Sequence, residues 1–471
     1  MPSLVFDIVK VGRQCVRVLA TTDPQVAVVG GGPAGLAAAI EVARSGLDVQ
    51  VFDERGTPGG PVYASAVAPT LLRELASAGP RALVHGGVTV WGLFDRRTLA
   101  WCGTDRADSV RPDALILAVG GSPRAVPIPG WTLEGVVVSR SVADEEAIRP
   151  GERVLVAGAG PGLAVVAAGL VRAGAAVVGV LDAAAARGMP RALALPWGRW
   201  PVGGDASADW LTLRAAGVRY EGSRTIARLV GAPDGGRVRE AVTVALDDGW
   251  RPIPGSEVRV EIDAARFVWG SVPSIQLAQI AGAELHYVAD AGGFIPVVSA
   301  DMETTVPCVF AAGRSAGAEG AALAALQGRI AGIAAAARVG AITQRVARSR
   351  MRPYQAAAAP LRRAQAALGS LTAVRAGSAE LITPDTLICP CEGITGAQVD
   401  QALQEGAIDL GQIKRATRVG MGRCRGLTCN PAVATLLAQR RGIPLGTIAP
   451  PSARAPVTSV PIHLLAAMPD A

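Results

Sequence analysis

The chain lacks what several protein classes require. No apolar run reaches the roughly eighteen residues of a membrane span, so no transmembrane segment is expected. The opening stretch, Met1 to Asp23, is interrupted by Asp7, Lys10, Arg13 and Arg17 and has no continuous apolar core of the secretory kind. Four Tyr and six Phe are too few for the base-stacking platforms of a nucleic-acid binder, although the net charge is +7. The three histidines, His85, His286 and His463, stand far apart, and no Ser/His/Asp set is visible. No catalytic base stands out, so catalytic residues stay unassigned. Charged residues reach only 18% against 50% hydrophobic, which excludes a disordered chain, and 471 residues suffice for two or three domains.

The cysteines are few but concentrated. Of seven, four lie near the C-terminus as Cys389-Pro390-Cys391, thirty-two intervening residues, then Cys424-Arg425-Gly426-Leu427-Thr428-Cys429. Four thiolates gathered from two tight loops suit a [2Fe–2S] cluster. Zinc is the rival ligand, but its sites favour C-x2–4-C knuckles and a C-x-C pair is tight for one; unligated thiols are the third reading. Lys414, Arg415, Arg418, Arg423 and Arg425 surround the segment and would offset a cluster's negative charge, unless they are plain surface basicity. Cys15, Cys102 and Cys308 have no C-x-x-C partner and read as small buried hydrophobes. This pattern is unlike a secreted disulfide framework and fits a reducing cytoplasm.

The long stretch before the cysteines contains two nucleotide-type units. Val26–Val29 reads as a buried strand, Gly30-Gly31-Gly32-Pro33-Ala34-Gly35 as the turn, Leu36–Arg44 as a helix, and Val49–Phe52 as a second strand ending in Asp53-Glu54. Asp53 follows Gly30 by twenty-three residues. Glycines there let the backbone approach a pyrophosphate at a helix N-terminus, and the acid can hold ribose hydroxyls. Pro58-Gly59-Gly60 extends the loop beyond the acid. The second unit runs from the strand Arg153–Ala157 through Gly158-Ala159-Gly160-Pro161-Gly162 and the helix Ala164–Ala173 to Asp182, twenty-four residues after Gly158. Its fingerprint is less regular, and it is either a ligand site or a fold element alone. An acid at Asp182, where a 2′-phosphate would call for Arg, favours NAD over NADP.

The rest organises around these units. We expect an N-terminal arm at 1–24, a first dinucleotide-binding domain over 25–150 and 265–340, and an inserted second one over 151–264. A β-rich part of the insertion carries turns at Pro196-Trp197-Gly198 and Pro233-Asp234-Gly235-Gly236. Thr304–Arg314 leads into an alanine-rich helix, Gly320–Arg338. A connector spans 341–385, where Arg345, Arg348, Arg350 and Arg352 form a solvated face or a docking surface and Pro353 and Pro360 break the chain. A small helical cysteine domain spans 386–445, with Thr395 capping the helix Gly396–Gln404, and a proline-rich tail, 446–471, drapes on another surface.

Together the first glycine motif, the Pro-Gly-Gly at 58–60 and Thr304-x-x-Pro307-x-Val309-Phe310-Ala311-Ala312-Gly313 resemble the landmarks of flavoproteins with two dinucleotide-binding domains. The cysteine segment, introduced by Gly420-Met421-Gly422-Arg423-Cys424, resembles the [2Fe–2S] domain of bacterioferritin-associated ferredoxin. The order of parts resembles the A-type chains of opine oxidases, the B-type chain of hydrogen cyanide synthase, hydroxyproline dehydrogenase chains and, in its front part, sarcosine oxidase alpha. The resemblance covers residues 25–445. It implies an α/β fold with two nested Rossmann-like domains of glutathione-reductase type plus a small helical [2Fe–2S] domain. It implies one chain of a heteromeric oxidoreductase that acts on CH–NH bonds. Substrate would be oxidised in a beta-type catalytic flavoprotein partner, with a small ferredoxin-like third subunit, in a cytoplasmic or membrane-associated complex. FAD is then expected at Gly30, Gly32, Pro33, Ala34, Gly35, Asp53, Glu54, Gly60, Gly313 and Arg314, and NAD or another adenine nucleotide at Gly158, Gly160, Gly162 and Asp182. The cluster is expected at Cys389, Cys391, Cys424 and Cys429. Three positions depart from the family: Pro61 where Gln is usual, Ala118-Val119-Gly120 for Ala-Thr-Gly, and Arg314 for the Asp that binds the ribityl chain. Two alternatives stand beside this: a self-contained NAD(P)H-dependent reductase, and a structural subunit that binds nucleotide without turnover, which Arg314 keeps open because an Arg accepts no hydrogen bond.

Overall fold

The computed structural model describes residues 23–60, 67–139, 149–184, 206–233, 235–466 and 468. The N-terminal arm, Cys15, Pro61 and the Pro196-Trp197-Gly198 turn lie outside the described residues, as does Asp234 of the second turn. The first sheet is parallel, in the order Val309–Ala311, Ala114–Leu117, Val26–Val29, Val49–Asp53, Ala82–Gly86. Its central strands are uninterrupted apolar runs because helices and a second layer cover both faces. The second sheet is also parallel: Tyr220–Gly222, Ala176–Asp182, Arg153–Gly158, Ala264–Val268, Val136–Val138. The chain leaves the first sheet after Leu117 and returns to it at Val309, so the second unit is nested in the first. Because Val136–Val138 and Ala264–Val268 belong to the second sheet, that unit reaches outside the 151–264 expected for it.

Close helix packing explains the alanine and glycine usage. Helices Pro33–Arg44 and Ala321–Arg338 lie against each other on the first sheet. A β-carbon at Gly328 would sit 2.0 Å from the Ala34 carbonyl oxygen, and one at Gly332 would sit 2.4 Å from that of Ala38. The two glycines therefore set the helix separation. Beside this contact Glu41, only 3% exposed, takes Arg329 at 2.8 Å and Arg350 at 2.8 Å. Tyr354 adds a hydroxyl at 3.3 Å.

The connector corrects one expectation. Pro353 and Pro360 do not break it: Gln344–Thr372 is a single 29-residue helix with both prolines inside. Each proline removes one backbone bond. The loss is offset by a buried stripe, Ala347, Met351, Ala358, Ala364 and Leu368, on one face of the helix. Thr343 caps its start through the Val346 N–H. Of the arginines, Arg345, Arg348 and Arg352 are exposed, whereas Arg350 is spent on Glu41.

The cysteine domain is a hairpin, Leu387–Cys389 with Ile394–Thr395, followed by helices Gly396–Gln404, Leu410–Thr417 and Asn430–Arg441. Ile388, Val399, Ile413, Val433 and Leu437 form its core. Thr395 and Gln398 make a capping box, and Asp409 caps the next helix through the Gln412 N–H at 2.7 Å. The domain is docked on the body: Trp131 Nε1 donates to the Leu387 carbonyl at 2.7 Å, and Glu380 of the connector takes both Arg251 at 3.3 Å and the domain's Gln439 Nε2 at 3.2 Å. The described part of the tail crosses back over the body, where Val457 N–H donates to Trp91 O and Leu464 is buried.

Candidate cofactor cavity and cysteine cluster

The first glycine loop is dictated by contact. Gly30 adopts φ +102°, and a β-carbon there would lie 2.2 Å from the Ala118 carbonyl. At Gly35 it would lie 1.8 Å from the Gly30 carbonyl, which fixes the helix against its strand. Gly32 differs: a β-carbon there meets nothing within 4 Å. Its absence is not needed for packing, and it leaves the backbone and the N-terminus of Pro33–Arg44 bare to the adjoining cavity. That is what a pyrophosphate requires.

The cavity is about 540 Å³. Gly30, Gly32, Pro33, Ala34, Asp53, Glu54, Gly60, Gly313 and Arg314 all line it. Of the positions expected to hold FAD, Gly35 alone is not on the wall and packs behind it. Asp53 is buried and is oriented by the Gly31 N–H and, at 2.8 Å, the Arg55 N–H. Glu54 is exposed at the rim. The Pro-Gly-Gly loop is tied to the first glycine loop by the Gly59 N–H and Gly31 O at 2.8 Å. Gly313 is held by Gln327 through its N–H at 2.8 Å.

Arg314 is bound on its own protein. Its Nη2 donates to the Ser271 carbonyl and its Nη1 pairs with Glu319, while Nε is buried with no hydrogen-bond partner and so offers one donor. Burial pushes the Glu319 carboxyl up, against the pull of Arg314 and Arg124. The connector helix steadies this corner: Gln365 accepts from the Glu319 N–H at 2.8 Å. Burial also lowers Arg124 to about 10. Arg124, Glu319 and Gln365 belong to no motif in the sequence. Only Glu319, five residues after Arg314, offers a charge signal.

The second loop is arranged differently. Gly158 abuts the Val268 carbonyl, where a β-carbon would fall at 1.9 Å. Over Gly160 stands Thr372, at the end of the connector helix, 3.0 Å from a β-carbon position. Gly162 opens the helix Gly162–Arg172 and lines the shared cavity. Asp182 is buried and already filled: Tyr220 Oη donates at 2.7 Å, Ala184 N–H at 2.9 Å and Gly160 N–H at 3.4 Å. Burial raises its carboxyl to about 6 in spite of these donors. Tyr220 stands where a ribose hydroxyl would, so the residues present do not fit NAD on this acid. Nothing in the spacing points to Tyr220.

The four thiols come together. Cys389 and Cys429 are buried, Cys424 is half-buried and Cys391 exposed. They meet as pairs, Cys391 with Cys424 and Cys389 with Cys429. Burial pushes Cys424 up, but the Thr428 N–H and hydroxyl, the Gly426 N–H and the Cys391 thiol outweigh it and leave the thiol below its ordinary value. Cys429 is pushed far up by burial and by Cys389 and Cys424. Buried neighbouring thiols cannot all ionise without a cation between them. Among the described residues no three His, Cys, Asp or Glu side chains converge tightly enough for a single metal ion. Paired thiols suit a two-iron cluster, in which each iron takes two of the four thiolates. Gly422 permits the approach, since a β-carbon there would lie 2.2 Å from that of Cys391. Arg423 and Cys424 line the same cavity as Gly30 and Gly313.

A nested pair of dinucleotide-type domains with a four-thiol domain at its cavity defines a flavoprotein-type oxidoreductase carrying an iron–sulfur module. The chain belongs to the pyridine nucleotide-disulphide oxidoreductase family, which matches residues 24–340, and the BFD-like [2Fe-2S] binding domain matches residues 387–439. The first family implies FAD and the second a [2Fe–2S] cluster. The chain is 31% identical to hydrogen cyanide synthase subunit HcnB of Pseudomonas aeruginosa, over 85% of this chain and 90% of that protein. It is 31% identical to the A subunit of opine oxidase from Agrobacterium tumefaciens, over 94% of this chain and 91% of that one. L-Proline dehydrogenase from P. horikoshii shares the fold, with TM-score 0.66 at 20% identity over 94% of this chain and 79% of that chain. The resemblance to the A-type chains of opine oxidases and the B-type chain of hydrogen cyanide synthase therefore holds.

Proposed function

We propose that the chain is the electron-transferring flavoprotein/[2Fe–2S] subunit of a heteromeric dehydrogenase that oxidises an amine, amino acid or opine in a beta-type partner. The observation that carries the reading is Cys424 on the wall of the cavity that Gly30, Asp53 and Gly313 also line. FAD bound there would accept an electron pair and release it singly, and a [2Fe–2S] cluster would take one electron at a time. The bare Gly32 backbone and helix N-terminus would hold the pyrophosphate, and Asp53 the ribose. Cys389, Cys391, Cys424 and Cys429 would hold the cluster, with Cys389 and Cys429 buried, Cys424 half-buried and Cys391 exposed. His85 serves no site, being buried and stacked on Phe52, and burial lowers its pKa. The relatives' names, as subunits, support a partner that holds the substrate. A small ferredoxin-like chain would complete the complex. Among the described residues no helix is long and apolar enough to cross a membrane, so any attachment to the inner membrane face would run through partners. The alternative of a self-contained reductase fed by NADH needs an open acid in the second unit, and Asp182 is filled. Iron, flavin and zinc counts with electron paramagnetic resonance on the purified protein test the reading. Expected are about two irons per chain and a reducible cluster signal that Cys424→Ser alters or abolishes. Native protein loaded with zinc and free of iron would overturn it.

A further inference from the structure

A second cavity, of about 680 Å³, lies between the body and the cysteine domain. Arg124, Lys414, Arg415, Arg425 and Arg454 line it, and no carboxylate does. Among the described residues none of the five has an ion-pair partner. They come from four separate segments, Arg124 being remote in the chain from the rest, so this is not the solvated face of one helix. Arg124 belongs to the crossover after the first sheet, Lys414 and Arg415 to the helix Leu410–Thr417, Arg425 to the cysteine loop and Arg454 to the tail. The tail is held in place there, with Gln279 Nε2 donating to the Pro451 carbonyl at 3.2 Å.

Arg124 is the decisive member. Only 9% of it is exposed, and its guanidinium's one hydrogen bond within the protein goes from Nη2 to the Gly292 carbonyl, a neutral group. Glu319 acts on it only at a distance and is paired with Arg314. A guanidinium taken out of water without a paired counter-charge carries a large desolvation cost. An anion in the cavity would remove that cost, and the four other cations would draw it in. Beside Arg124 the wall is aromatic: Tyr287 and Phe294 meet edge to face at 5.4 Å. Four of the five cations are arginines, whose planar forks match the oxygens of a phosphate group.

We propose that this cavity binds a small phosphate-bearing anion. It adjoins the nucleotide cavity, sharing Gln276, Leu427 and Val457 with it, but its cations line only this side. The cysteine loop runs along their boundary, with Arg423 and Cys424 lining the nucleotide cavity, Arg425 and Gly426 the cationic one, and Leu427 both. The bound anion therefore sits across one loop from a cluster ligand.

Calorimetry of the full-length protein with inorganic pyrophosphate tests this. Saturable binding is expected, weakened at least tenfold by R415E/R454E, whose side chains are exposed. The matched pair R345E/R348E, on the exposed face of the connector helix, should leave it unchanged. R415A/R454A, with a smaller perturbation, should weaken binding in the same direction and serves should the reversal variant fail to fold. No binding to the wild-type protein overturns the proposal. So does affinity unchanged in R415A/R454A, which would place pyrophosphate on the first glycine loop. Equal weakening by R345E/R348E would mean diffuse charge attraction and overturn it too, and succinate binding as tightly as pyrophosphate would remove the assignment to phosphate.

Discussion

At the residue scale, two buried acids behave in opposite ways. Glu41 neutralises Arg329 and Arg350 across a helix contact; without it, among the described residues, Arg350 has no ion-pair partner, while Arg329 keeps only Glu74. Glu41→Ala should cost about 3 kcal/mol, read as a lower denaturant midpoint; a change below about 1 kcal/mol would sink this account. Asp182 is held at about 6 by burial, above its ordinary 3.8. The folded state thus binds the proton more tightly than the unfolded chain, and the stability this provides is present in acid and lost as pH rises through about 6. Asp182→Asn cannot titrate. Its stability relative to wild type should therefore climb by about 3 kcal/mol between about pH 4 and pH 7 and then level off. A difference flat across that range contradicts the assignment. What is legible in the sequence at this scale is chemistry tied to local spacing. The glycines and Asp53 stand out because strand, turn and helix put them together within one unit. Tyr220 on Asp182, and Ser271 on Arg314, do not, since those contacts join segments only after both sheets form.

At the element scale, the first unit is readable because its strands are continuous apolar runs and its helix follows a glycine turn. The connector reads as a broken segment because proline propensity is local, whereas the stripe that holds Gln344–Thr372 together is tertiary. That helix does more than connect: Gln365 braces Glu319, and Thr372 covers Gly160. The same dependence on packing governs Ala321–Arg338. A methyl group at Gly328 has no room beside Ala34, so Gly328→Ala should push the helices apart and cost about 1–3 kcal/mol, despite alanine's better helix propensity. Propensity alone predicts a gain of about 1 kcal/mol, so the sign of the measured change decides between the two effects.

At the scale of the whole molecule, the order of parts becomes a route. The cysteine domain is anchored through Trp131 and Glu380 so that Cys424 faces the nucleotide cavity, while Cys391 remains exposed on the outer side. One end of the four-thiol set thus meets the interior and the other meets solvent, where a partner can dock. The second nucleotide fold contributes its loop residues Ala159, Pro161 and Gly162 to the cavity wall, but its ribose acid is closed by Tyr220. Reducing equivalents should accordingly not enter as NADH. Under anaerobic titration, NADH alone should leave the visible spectrum of the purified chain unbleached, and the amine substrate alone should do the same. Substrate together with the catalytic partner should bleach it and develop the cluster's resonance signal. Bleaching by NADH alone, within the time that dithionite needs, would mean that the second fold opens to its nucleotide and that this chain is a reductase in its own right.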